Sequence, residues 1–227
     1  MLTNLLSIFT VIDDNASSKF LWVSIITLLC LLLVFVLIVI YRKDLTTKTL
    51  AFSGLCIATS YVLSFVKFSP VTYGGSVTLA SMLPISIFAY AFGFVPALLT
   101  GLIYGFLQFL QNPYVFNYAT FFLDFLLAFS SIAMMALARK IFKDKKYTPI
   151  LGLAFVYLLR FLFHFLSGLI YFDNGGIWAN LPQDNAFVYS FLYQIVYLVP
   201  DFVINLAILL PLCKTEKFNL LLKSMTK

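Results

Sequence analysis

R-F-L-F-H-F-L-S-G-L-I-Y-F, from Arg160 to Phe172, lies inside a segment apolar enough to cross a membrane. It carries the chain's single histidine, His164, and a glycine one turn later, Gly168. An arginine or histidine at membrane depth is costly, so a functional role is the first hypothesis for such a group. His164 and Gly168 stand at i and i+4 on one helix face, where the glycine leaves room beside the imidazole for a flat ring. The competing reading is a satisfied polar residue that packs two helices and binds nothing.

The rest of the chain extends this pattern. Of 227 residues, 62% are hydrophobic, 18% aromatic and only 11% charged. Ordinary soluble domains carry about 25% charged residues, so the composition excludes that class. A spanning helix needs about 20 apolar residues, and this length holds six or seven spans with almost no soluble domain. The net charge is +6, and the basic residues gather in three clusters. These are Arg42, Lys43 and Lys48; then Arg139, Lys140, Lys143, Lys145 and Lys146; then Lys214, Lys217, Lys223 and Lys227. The positive-inside rule places all three on the cytoplasmic side, so the basic balance is a topology signal and not a nucleic-acid footprint. Cys30, Cys56 and Cys213 lie in apolar segments without metal-ligand spacing and read as small buried hydrophobes.

Taken in order, Phe20 to Tyr41 is free of charge and followed at once by Arg42-Lys43. It is too long for a signal peptide, lacks a basic lead-in and has no A-x-A site, so it reads as an anchor helix with its N-terminus outside. Further spans are read at Thr49–Val66, Ala80–Phe92, Val95–Gln111, Tyr118–Ala138, Pro149–Phe172 and Phe187–Cys213. The first of these holds Gly54 and Ala58, a small-xxx-small spacing that lets another helix approach closely. Lys67–Leu79 and Asp173–Asn185, rich in Gly and polar residues, read as long outer loops. Seven spans starting outside put every basic cluster inside. The expected organisation is an N-terminal segment 1–48 with an anchor helix at about 20–41, a six-helix bundle at 49–213 and a basic cytoplasmic tail at 214–227. The fold class is an all-α integral membrane protein.

Asp124, His164, Tyr189 and Gln194 converge near the outer leaflet if the last three spans bundle. An acid, an imidazole and hydrogen-bonding side chains among aromatics suit a flat, polar or cationic small molecule. The alternative is a hydrogen-bond network that only holds the bundle. Arg160 and Asp201 both fall near mid-membrane and are expected to form an ion pair, with a proton or ion relay as the sharper alternative. Walker A, H-E-x-x-H and G-x-S-x-G motifs are absent, and no catalytic residue, metal site or cofactor is expected. Uphill transport by this chain therefore needs a partner that supplies energy.

Several motifs in order resemble one family. They are Y-G-G-S-V-T-L at 73–79 with M-L-P-I at 82–85, G-L-I-Y-G-F-L-Q at 101–108, F-L-D-F-L-L-A-F at 122–129, the stretch at 160–172 and Y-S-F-L-Y-Q at 189–194. Residues 49–213, about three quarters of the chain, resemble the thiamine-specific substrate-binding S-component of energy-coupling factor (ECF) vitamin transporters. The resemblance implies that Asp124 hydrogen-bonds an aminopyrimidine, that His164 lies beside the vitamin and that Gly168 makes room for it. It implies further pocket positions at Tyr73, Gly75, Phe125, Phe172, Tyr189 and Gln194. Gly54 and Ala58 match the small pair by which such components dock on a shared transmembrane coupling subunit. Phe125 stands where tyrosine is usual, Gln194 where asparagine is usual, and Gly75 where some members have tryptophan. The helix at 20–41 is outside the family pattern.

What the resemblance implies is capture of thiamine outside and release inside, driven by the coupling subunit and two ATPases, with no chemistry on the ligand. Rival readings are a component for a thiamine precursor or related heterocycle, a structural membrane protein, and a membrane enzyme on lipid substrates. The last is disfavoured because Asp124 and Asp201 are the acids within the spans and lack D-x-x-x-D spacing.

Overall fold

A computed structural model describes residues 36, 40, 43–70, 75–113, 115, 117–143, 145, 147–172, 181, 182 and 184–225. The chain divides into two compact units, Met1–Arg42 and Lys43–Lys227. Of the first unit only Val36 and Ile40 are described, both helical and exposed. The expected anchor over 20–41 otherwise lies outside the described residues, as does Cys30.

The second unit is helical. Helix α1, Thr47–Leu63, starts where Thr46 Oγ1 accepts a bond from the Thr49 amide at 3.2 Å, which satisfies one orphan donor of the first turn. The stretch read as a long outer loop forms a small antiparallel ribbon, β1 (Lys67–Pro70) with β2 (Ser76–Thr78), irregular between Lys67 and Ser69. Helix α2, Met82–Phe92, follows. Gly93, at φ 97°, breaks the chain into α3, Phe94–Gln111; that φ disfavours any residue with a side chain. Helix α4 runs from Tyr118 to Phe142. A reciprocal capping box between Asn117 and Thr120 opens it, and it contains a π turn at Phe122–Leu127 and a 3₁₀ turn at Ser131–Ala133. Helix α5 is Thr148–Phe172, and α6 is Ala186–Lys214 with Pro200 and Pro211 inside it.

The segment expected as a basic cytoplasmic tail carries helix α7, Glu216–Met225. Leu222 on it is buried, and Phe218 and Met225 pack on the core.

Helices α3, α4, α5 and α6 are long and apolar enough to cross a membrane; α1 and α2 are shorter. The shortest of these six, α2, sits at the centre. It touches α1, α3, α4, α5, α6 and α7, and Met82, Ile85, Phe88 and Ala89 are fully buried. Its sequence M-L-P-I-S-I-F-A-Y-A-F is apolar all round, and such a helix must be surrounded. The outer faces carry Leu55, Val62, Leu158, Val203 and other exposed apolar side chains, a surface suited to lipid and not to water. Helices α3 and α4 pack closely because Gly101 and Gly105 lack side chains. A Cβ at Gly101 would sit 2.6 Å from the Phe129 carbonyl oxygen, and one at Gly105 would overlap that of Phe125. The protein is thus an all-α membrane protein whose packing brings α4, α5, α6 and the ribbon around one space.

Candidate functional site

That space is a cavity of about 120 Å³ lined from α3 to α6 and from the ribbon. Asp124 reaches it from the π turn of α4, an insertion that widens the helix and is frequent at functional sites. Asp124 Oδ1 lies 2.8 Å from His164 Nδ1, and Ser167 Oγ donates to Asp124 Oδ2 at 2.5 Å. His164 and Ser167 are three apart on α5 and so share a face. One carboxylate therefore fixes two residues of the neighbouring helix. Nδ1 faces an oxygen that can only accept, so it is the protonated nitrogen, and in the neutral ring Nε2 is left as an acceptor. Nε2 is buried and meets no protein partner.

The α6 side of the cavity is aromatic. Tyr189, Tyr193 and Tyr197 follow at spacings of four and form a column, with ring centroids 6.1 Å and then 5.7 Å apart. His164 meets Tyr197 edge to face at 5.9 Å. Gly75 closes against this column. Its amide donates to Tyr193 Oη at 3.2 Å, and a Cβ there would lie 2.5 Å from the Tyr197 ring. A residue with a side chain at this position needs the Tyr197 ring to move.

A second buried cluster shares the cavity wall through Thr78, Arg160 and Asp201. Asp201 Oδ1 accepts from the Thr78 amide at 3.0 Å and from Thr78 Oγ1 at 2.9 Å. Its Oδ2 accepts from Tyr157 Oη at 2.6 Å and faces Arg160 Nη1 at 3.7 Å. Asn205 Nδ2 donates to Tyr157 Oη at 2.9 Å. The expected Arg160–Asp201 pair is present, and it ties β2 to α5 and α6. The Arg160 guanidinium also lies 4.6 Å over the Phe129 ring. Among the described residues no group of His, Cys, Asp and Glu is placed to hold a metal ion.

Of the residues singled out from sequence, Asp124, Phe125, His164, Gly168, Tyr189, Gln194 and Gly75 line the cavity. Phe172 touches its rim through Tyr189, at 5.6 Å between ring centroids. Tyr73 lies outside the described residues. Two positions differ in role from the expectation. The room left by Gly168 is taken by α6, since a Cβ there would overlap Ser190 Oγ, so the glycine serves helix packing before any ligand. The Gln194 amide is already engaged, donating to the His164 carbonyl at 3.1 Å and accepting from Tyr197 Oη at 2.5 Å. Ser167, Tyr193, Tyr197, Thr78 and Gln108 also line the cavity and were not singled out as site residues. Ser167 was findable one turn from His164, and Tyr193 and Tyr197 at four-residue steps from Tyr189. Gly54 and Ala58 lie on the exposed face of α1, and nothing stands within 4 Å of a Cβ at Gly54.

Comparison with known proteins agrees with these observations. The family model "Thiamine transporter protein (Thia_YuaJ)" matches residues 50–220. Thiamine transporter ThiT of Bacillus subtilis (strain 168) is 29% identical over 162 residues, which cover 65% of this chain and 80% of that protein. A solved structure of ThiT from Listeria monocytogenes shares the fold, with a TM-score of 0.61 and 23% identity over 74% of this chain and 94% of the other. The family match spans most of the chain and contains every described lining residue of the cavity. The chain belongs to the thiamine transporter protein family, the S-component family that its motifs resemble, and is a multi-pass membrane transporter, not an enzyme.

Proposed function

We propose that the cavity between α4, α5 and α6 is the thiamine site, and that the chain captures thiamine from outside the cell. The observation that carries this reading is the Asp124–His164–Ser167 cluster facing the tyrosine column across one cavity. Thiamine joins an aminopyrimidine to a cationic thiazolium. The Asp124 carboxylate keeps lone pairs free after its two protein bonds, and His164 Nε2 adds another acceptor, so this end suits the amino N–H groups. The faces of Tyr189 and Tyr193 suit the cationic ring. Phe125 adds an apolar wall, and Gln194 holds His164 and Tyr197 in place.

Six core helices, α1 to α6, form the transport body, with an anchor helix at about 20–41 before them. The N-terminus is outside and the C-terminus, with α7, cytoplasmic, in keeping with the three basic clusters. The open Gly54–Ala58 face of α1 is the docking surface for a transmembrane coupling subunit, which works with two ATPases. Their energy drives release inside, since the chain has no nucleotide-binding motif of its own.

Mass spectrometry of the small molecule that co-purifies with the protein tests this reading. Thiamine is expected. Recovery of a pyrimidine or thiazole precursor, with no thiamine bound after its addition, would move the assignment to that precursor.

A further inference from the structure

Gln108 and Arg160 also line the cavity. Gln108 Nε2 and Arg160 Nε and Nη1, on two of the lining residues, are buried and without a hydrogen-bond partner. Buried polar groups in native proteins are almost always satisfied, so unpartnered donors on residues that line a cavity call for an acceptor there. Arg160 is only 9% exposed. It meets Asp201 at 3.7 Å, which is an ion pair but too long for a hydrogen bond, so these N–H groups are not spent on protein acceptors. Gln108 stands one turn beyond Gly105 on α3, the glycine that lets α3 close onto the Phe125 carbonyl. The Phe125 side chain offers only carbon to the cavity. Gln108 Nε2 and the two Arg160 nitrogens are N–H donors that no protein acceptor takes, whereas His164 Nε2 is an acceptor that no protein donor fills.

We propose that Gln108, assisted by Arg160, is a specificity-determining residue that donates to an alcohol oxygen on the ligand's side arm. This rests on the reading that thiamine occupies the cavity. Thiamine carries its amino group at one end and a primary alcohol at the other. Asp124 and His164 take the amino N–H, and the unpaired donor of Gln108 takes the alcohol oxygen. A ligand without the alcohol leaves buried N–H groups unpaired, which a site built to bond a hydroxyl rejects strongly.

The test is binding of thiamine and of its analogue with hydrogen in place of the side-arm hydroxyl, to the full-length protein and to Gln108→Met. The unaltered protein is expected to prefer thiamine by about tenfold or more. Gln108→Met is expected to lose most of that preference, binding both ligands with similar affinity. A purely structural role for Gln108 lowers both affinities together and leaves the ratio unchanged, which overturns the proposal. Should Gln108→Met not fold, Gln108→Glu keeps the length, removes both N–H donors and reads the same ratio. No preference in the unaltered protein also overturns the proposal while leaving the thiamine site standing. Failure of both ligands to bind the unaltered protein overturns the thiamine reading itself.

Discussion

Asp124→Asn keeps the shape of the side chain and removes its charge. In the structure Asp124 accepts from His164 Nδ1 at 2.8 Å and from Ser167 Oγ at 2.5 Å. Asparagine has one acceptor oxygen and one NH₂ donor, so it cannot satisfy both in the same way. If its oxygen faces His164, Ser167 must rotate and accept. If its nitrogen faces His164, the imidazole must move its proton to Nε2, which turns the free acceptor into a donor. Either way the acceptor end loses a charge-assisted bond to the ligand, about 1.5–3 kcal/mol. That corresponds to roughly tenfold to a hundredfold in affinity. Thiamine Kd and melting temperature are to be measured on the same detergent-purified sample. The expected result is weaker binding with a folded protein. An unchanged Kd with a lowered melting temperature would mean that the cluster only holds α4 to α5, and the reasoning would be refuted.

Three further outcomes follow from named contacts. Gly168→Ala puts a methyl group against Ser190 Oγ and should cost about 1–3 kcal/mol of stability by overpacking; a second change, Ser190→Gly, should restore the melting temperature. Asp201→Ala strips Thr78 and Tyr157 of their shared acceptor and leaves Arg160 unpaired, a loss of about 3–5 kcal/mol read as thermal stability. Gly54→Trp, on the open face of α1, should leave thiamine affinity unchanged and abolish uptake in cells that hold the energising module; equal loss of both would place Gly54 in the fold and not in docking.

Helix positions were legible because apolar runs end at strong markers: Asn112-Pro113, the basic residues from Arg139, and Gly93. The π turn at Phe122–Leu127 was not. It adds one residue to a helical turn without altering hydropathy, so no apolar pattern reports it. The ribbon was hidden because two strands of four and three residues among Gly and Ser look like a loop. In α7 the lysines 217 and 223 masked the Phe218, Leu222, Met225 spacing, which is the packed face. Asp124 and His164 stood out as ionisable groups in apolar surroundings. Thr78, small and ordinary in composition, gained meaning only when folding set it on the Asp201 carboxylate. Gly168 shows the converse: its smallness was visible, but whether a ligand or a helix filled the space depended on where Ser190 came to lie.

The central claim is that this cavity binds thiamine through Asp124 and His164. Calorimetric titration of thiamine into the intact protein, repeated on His164→Ala, tests it most directly. The account predicts saturable binding at one site per chain, weakened about tenfold or more by the substitution, which removes both the ring contact and the Nε2 acceptor. Binding of equal strength in the unaltered and His164→Ala proteins, or no binding in the unaltered protein, would contradict it.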